Sequence, residues 1–184
     1  MNGIAGFFLG AKGWQIFLLL FSLDCVGAAL TIVMNLMRVS PEVLAKTSLP
    51  LAVVSAVSWC CYLAWLWFMG SFLASITSSK FKIKTAFFRF TVIWTAVYGF
   101  TLLPFIKNVY SPPHPLHVAL YLFGILCWSH NLYFVSNNLV VAETGKPTGS
   151  FLDYAGPFFL LWLALIGVWF IQPRINRLYA QTTI

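Results

Sequence analysis

An aspartate standing about ten residues into an otherwise apolar run is the residue in this chain most able to do chemistry. At 1.5 Å per residue, Asp24 lies about 15 Å deep if that run crosses a membrane. An acid at that depth costs about 2.5 to 3.5 kcal/mol on insertion scales, so it must meet a partner, take up a proton or face water. Two roles follow: a proton or cation site, or a hydrogen-bonded acid that locks helices together. The best candidate partner is His130, where Cys127-Trp128-Ser129-His130-Asn131 interrupts a later apolar run at a similar depth. Together they would make a proton relay or coupling site; apart, His130 reads as a histidine bonded to a backbone carbonyl. Asn131 beside it, and Asn35 on the stripe Asp24, Ala28, Thr31, Asn35, complete the candidate intramembrane polar site. That stripe has the helical face period, and with Gly27 beside Ala28 it is expected to face protein rather than lipid. Thr91, Thr95 and Tyr98 form a similar, weaker line, with Arg89 expected to snorkel toward headgroups.

Metal and redox chemistry have thinner support. Cys25, Cys60, Cys61 and Cys127 all fall within apolar runs, where a free cysteine behaves as a small apolar residue. Cys127 and His130 share a helical face and could join Cys60 or Cys61 and Asp24 as a mixed-ligand metal site. His114 and His117, three apart before the same run, could hold a metal or a haem edge, but two histidines without a third ligand are weak. No Cys-x-x-Cys, His-Glu-x-x-His, Gly-x-Ser-x-Gly, Walker loop or Gly-x-Gly-x-x-Gly is present. A mid-span lysine for a retinal Schiff base is missing as well. The four acids leave little for acid-base catalysis, so no catalytic residue is assigned and the cofactor is left open.

The elements that would position these residues follow from composition. In the 184-residue chain, 60% of residues are hydrophobic and 8% charged, with mean hydropathy +0.86. Soluble domains run near 25% charged, so the chain is expected to be an all-α, polytopic transmembrane helix bundle forming one domain. A hydrocarbon core about 30 Å thick takes roughly 20 residues per helix, which gives five spans at approximately 14–37, 49–78, 86–106, 115–140 and 151–172. Continuous rather than alternating apolar runs exclude a barrel. The first span reads as a retained signal anchor. Ser40-Pro41-Glu42 predicts a short surface helix to about Lys46. Ser150 followed by Asp153 predicts the start of the fifth helix, and Pro173 its end.

The net charge of +7 would suggest nucleic acid in a soluble chain. Here the basic residues flank apolar runs, so the expected contacts are anionic headgroups, through Lys80, Lys82, Lys84, Arg174 and Arg177. Five spans put the N-terminus inside and the C-terminus outside, by the weight of the Lys80 to Lys84 cluster.

The run from Phe151-Leu152-Asp153-Tyr154 through Phe158-Phe159-Leu160-Leu161-Trp162 to Ile171-Gln172-Pro173-Arg174-Ile175-Asn176 resembles the ends of small uncharacterised multipass bacterial inner-membrane proteins. The resemblance covers about an eighth of the chain and implies a bacterial inner membrane but no activity.

Three functions are then expected, in this order. The first is a non-catalytic integral subunit or assembly factor that packs against other membrane proteins or itself. The second is a small transporter or proton-coupled carrier with a midplane site at Asp24 and His130. The third is a quinone-, pigment- or haem-associated redox protein, suggested by an aromatic content of 18% with eight Trp.

Overall fold

The computed structural model describes residues 3–77, 85–105, 115–148 and 150–183. Among these residues there are seven helices and no strands: α1 (Ile4–Gly10), α2 (Gly13–Leu36), α3 (Pro41–Thr77), α4 (Thr85–Phe105), α5 (Pro115–Thr144), α6 (Phe151–Trp162) and α7 (Ala164–Thr183). Three segments are long and apolar enough to cross a membrane, Gly13–Met34, Pro50–Thr77 and Val118–Thr144. The expected helical membrane protein is present at that level. The five-span count is not reached among the described residues: neither α4 nor the last two helices are among the three.

Local sequence explains the boundaries. Extended backbone at Ala11 ends α1, and Gln15 Oε1 accepts the Lys12 amide at 2.8 Å to open α2. Arg38, at φ 50°, closes α2, and the Val39 amide reaches back to the Met34 carbonyl at 3.1 Å, the left-handed C-terminal motif usually given to glycine. Pro41 then starts α3 at a position where its missing N–H costs nothing. The short surface helix expected to end near Lys46 is no separate element, because α3 continues through Pro50 for 37 residues.

α2, α3, α4 and α5 follow one another as antiparallel neighbours, and α5 also packs against α3, to which it runs parallel. Glycines let aromatic rings nest between them: a Cβ at Gly70 would lie 2.4 Å from the Phe88 ring. Phe88 in turn stacks on Phe134, with ring centroids 4.3 Å apart.

The stretch expected as a fifth span is a hairpin. Asp153 Oδ2 caps the Ser150 amide at 2.8 Å, as the sequence predicts. From there α6 runs antiparallel to α5, with Tyr133 against Tyr154 and Trp128 against Trp162. Leu163 leaves helical geometry at φ −87°, ψ 54°. α7 then returns against α2 and α1 and reaches α3 through side chains, where Trp65 Nε1 donates to Gln172 Oε1 at 2.8 Å and Phe72 meets Tyr179. Arg174 Nε donates to Glu143 Oε1 at 2.8 Å, its Nη2 reaches Glu143 Oε2, and Arg177 adds a third contact at 3.4 Å. The C-terminal half of α7 thus lies at the same end of the bundle as the end of α5. That overturns the arrangement with N- and C-termini on opposite sides. It also corrects Pro173, which sits inside α7 rather than ending it.

Gln172 fastens the N-terminus to this end as well. Fully buried, it donates to the Phe8 carbonyl at 2.9 Å and the Ala11 carbonyl at 3.2 Å. It thereby satisfies carbonyls that the end of α1 leaves without helical partners.

Candidate ligand-binding cavity

Where the hairpin turns, it meets α2, α3, α4 and α5 around a cavity of about 770 Å³. Cavities of roughly 300 to 1,000 Å³ are the size of small-molecule sites. The walls are Leu20, Phe21 and Asp24 of α2, a face of α3 from Ser55 to Tyr62, Thr95 to Gly99 of α4, Gly124 to Trp128 of α5, and Trp162 to Ile166 at the hairpin turn. The space exists because bulky rings are drawn aside into glycine notches. A Cβ at Gly99 would lie 2.5 Å from Trp59 Nε1, and one at Gly124 would lie 2.6 Å from the Tyr98 ring.

The hairpin turn is tied in place by one side chain. Breaking the helix at Leu163 frees carbonyls at the end of α6, and the Tyr62 hydroxyl donates to that of Leu161 at 3.0 Å. The Leu163 carbonyl accepts the Ile166 and Gly167 amides at 2.9 and 2.8 Å, which starts α7. The turn places the negative end of the α6 dipole beside the positive end of the α7 dipole, and the two largely offset.

Among the described residues, four polar groups on the wall are unsatisfied: Asp24, the Ser58 hydroxyl and the indole N–H groups of Trp59 and Trp128. Asp24 is half-buried, lines the cavity, and has no hydrogen-bond or ionic partner among the described residues. Ser58 is 4% exposed and its hydroxyl has no hydrogen-bond partner. Helical Ser and Thr usually bond a carbonyl one turn back, as Thr77, Thr91, Thr95 and Ser136 do here. The Trp59 indole N–H is likewise buried without an acceptor, packed against Gly99. No Lys, Arg or His lies among the described lining residues.

The other sequence-derived candidates are dispersed. His130 is not brought to Asp24: its ring packs on Phe87, with centroids 4.6 Å apart, and near Tyr133 and Phe134. Asn131 is fully buried as a clamp, accepting from Thr91 Oγ1 at 2.6 Å and donating to Thr95 Oγ1 at 3.3 Å. The expected Thr91 and Thr95 line therefore does face another helix, and Thr95 reaches the cavity as well. Arg89 lies over the Trp67 ring at 5.9 Å and not beside Asp24. Arg174 and Arg177, expected as headgroup anchors, both engage Glu143. Cys127 is buried, and no group of three His, Cys, Asp or Glu that could hold a metal occurs among the described residues. The side chains of Asn35 and His117, together with His114, Lys80, Lys82 and Lys84, lie outside the described residues.

Ser58, Gly99, Gly124, Gln172 and the Glu143 to Arg174 pair were not singled out from sequence. One signal was available: Ser55, Ser58 and Tyr62 recur at helical spacing, a polar stripe on α3 facing the one on α2. Comparison with protein-family models, curated proteins and solved structures finds no match for this chain.

Proposed function

We propose that this chain is an integral membrane carrier that binds one small, largely apolar molecule at mid-depth, with Asp24 and Ser58 as its polar contacts. The cavity of about 770 Å³ carries this reading. It reverses the order expected from sequence, in which a subunit or assembly factor came first. Gly27, one of the small residues that suggested a partner helix, receives Leu51 of this chain, and Gly70, Gly99 and Gly124 likewise receive Phe88, Trp59 and Tyr98.

Depth supports the same reading. Arg89 marks one polar boundary at Trp67. At the other end Thr47 meets Met34, one turn from Arg38. Trp67 and Thr47 are about twenty residues apart on α3, a rise of about 30 Å, which is the thickness of a hydrocarbon core. Ser58 then stands about 14 Å from the Trp67 level. Broken helices meeting a site near the midplane are a recurring carrier design. In this arrangement α2 to α5 cross four times, and α6 with α7 enters and leaves from one side.

The charges sort accordingly. Among the described residues Lys12, Arg89, Lys146, Arg174 and Arg177 belong to the end where α1 and the C-terminal half of α7 lie, and Arg38 to the other. An imbalance of that size puts both termini on the cytoplasmic side.

Native mass spectrometry of the protein, gently extracted from its own membrane, tests the reading. The expected result is a single chain or homo-oligomer carrying a bound small molecule. Obligate foreign chains, with no small molecule retained, would return the subunit reading to first place.

A further inference from the structure

The geometry points to a lipophilic organic cation as the class of molecule this cavity takes, an inference that rests on the carrier reading above. Four observations converge on the charge and shape of the ligand.

Asp24 is the only ionisable acid on the described wall, and no basic residue stands there to neutralise it. An unpaired carboxylate in low dielectric attracts a positive ligand far more strongly than it would in water. The rest of the wall is aromatic and aliphatic, with Phe21, Trp59, Tyr62, Tyr98, Trp128 and Trp162 supplying rings. Indole and phenol faces attract cations, and do so best where water is excluded. Finally, the C-terminal end of α6 adjoins the N-terminal end of α7 at the turn, so the positive end of α7 does not stand there alone.

An inorganic ion fits this site poorly. Calcium takes six or more oxygen ligands, and magnesium keeps a tight octahedron. The wall offers one carboxylate with the hydroxyls of Ser55, Ser58, Thr95 and two tyrosines and the indole N–H groups of Trp59 and Trp128, too few oxygen ligands held around one point for either ion. A bare proton would not need about 770 Å³. A cation whose charge is already shielded by its own hydrocarbon has little hydration to lose, fills the volume, and pairs with Asp24. Ser58, with an unused hydroxyl beside the acid-bearing wall, can accept a hydrogen bond from a protonated amine or donate one to an ether or carbonyl on the same ligand.

The test uses three aryl probes that differ in charge: tetraphenylphosphonium, tetraphenylborate and neutral triphenylphosphine oxide. Binding is measured by equilibrium dialysis against the full chain in nanodiscs of zwitterionic lipid, with empty nanodiscs subtracted. The phosphonium is expected to bind saturably at one site per chain, Asp24→Asn to weaken it tenfold or more, and Asp24→Glu to restore it. The borate is expected to show no saturable binding. Retention of the neutral probe by Asp24→Asn verifies that the variant is folded.

Borate binding as tight as that of the phosphonium would overturn the cation class, and so would phosphonium binding unchanged in Asp24→Asn. In either case the cavity reading would survive. Binding of the neutral probe alone would do the same. Failure of all three probes to bind monodisperse wild-type protein would overturn the cavity reading itself, and the cation class with it.

Discussion

Asp24 and Asn131 were both legible in the sequence as polar residues in apolar surroundings, yet they do opposite things. Asn131 has its oxygen and nitrogen engaged by Thr91 and Thr95, so it is glue between α4 and α5. Asp24 has no such partner and opens on a cavity. What separates them is the residue type on the facing helix, which intervals within one helix do not report. His130 illustrates the same limit, because equal depth did not mean the same side of α5. Since Thr91 and Thr95 also bond the carbonyls of Phe88 and Thr91, removing Asn131 leaves neither hydroxyl orphaned. Asn131→Leu is therefore expected to cost about 0.5 to 2 kcal/mol, the range for polar contacts between membrane helices. A thermal melt in detergent would show it as a modest drop with monodispersity kept. Aggregation on extraction would mean that Asn131 is more than a clamp.

The helices themselves were read well up to the fourth. The apolar runs predicted at 14–37, 86–106 and 115–140 became α2, α4 and α5, because each is bounded by charge or proline. The second run was right in place but short, since α3 begins at Pro41 and absorbs the segment expected as a separate surface helix. The stretch 151–172 failed for a different reason. Summed hydropathy registers that residues avoid water and is blind to a turn whose backbone groups are satisfied internally. Here Tyr62 caps the Leu161 carbonyl and Leu163 restarts the ladder of α7. The residue that permits the turn is Gly167, where a Cβ would fall 1.6 Å from the Leu160 carbonyl oxygen. Backbone cannot yield as a side chain tip can. Gly167→Ala is expected to exceed the roughly 1 to 3 kcal/mol of ordinary overpacking, seen as a collapsed melting midpoint and loss of probe binding. Gly156→Ala in α6 has nothing within 4 Å and is expected to be neutral or stabilising by up to about 1 kcal/mol. Equal midpoints for the two variants would count against the hairpin.

At the scale of the whole molecule, the hairpin decides which side of the membrane the C-terminus occupies, and through it how the charge is distributed. Five crossings split the eleven basic residues nearly evenly between the faces, leaving orientation to the Lys80 to Lys84 cluster alone. Returning Arg174 and Arg177 to the end that holds Glu143 groups them, among the described residues, with Lys12, Arg89 and Lys146, and leaves Arg38 at the other end. A basic excess flanking the spans is retained in the cytoplasm, and the same excess is what anionic headgroups attract. Both termini are thus expected inside, and the turn between α2 and α3 outside. Reporter fusions in a bacterial host check this directly. Green fluorescent protein joined after Ile184 should fluoresce, and alkaline phosphatase joined after Ser40 should be active. An active phosphatase after Ile184 would require the last stretch to cross the membrane. Glu143 could then no longer reach Arg174, and the cavity would lose the wall that Trp162 to Ile166 provide. One topology measurement therefore bears on the ion pair, the hairpin and the binding site together.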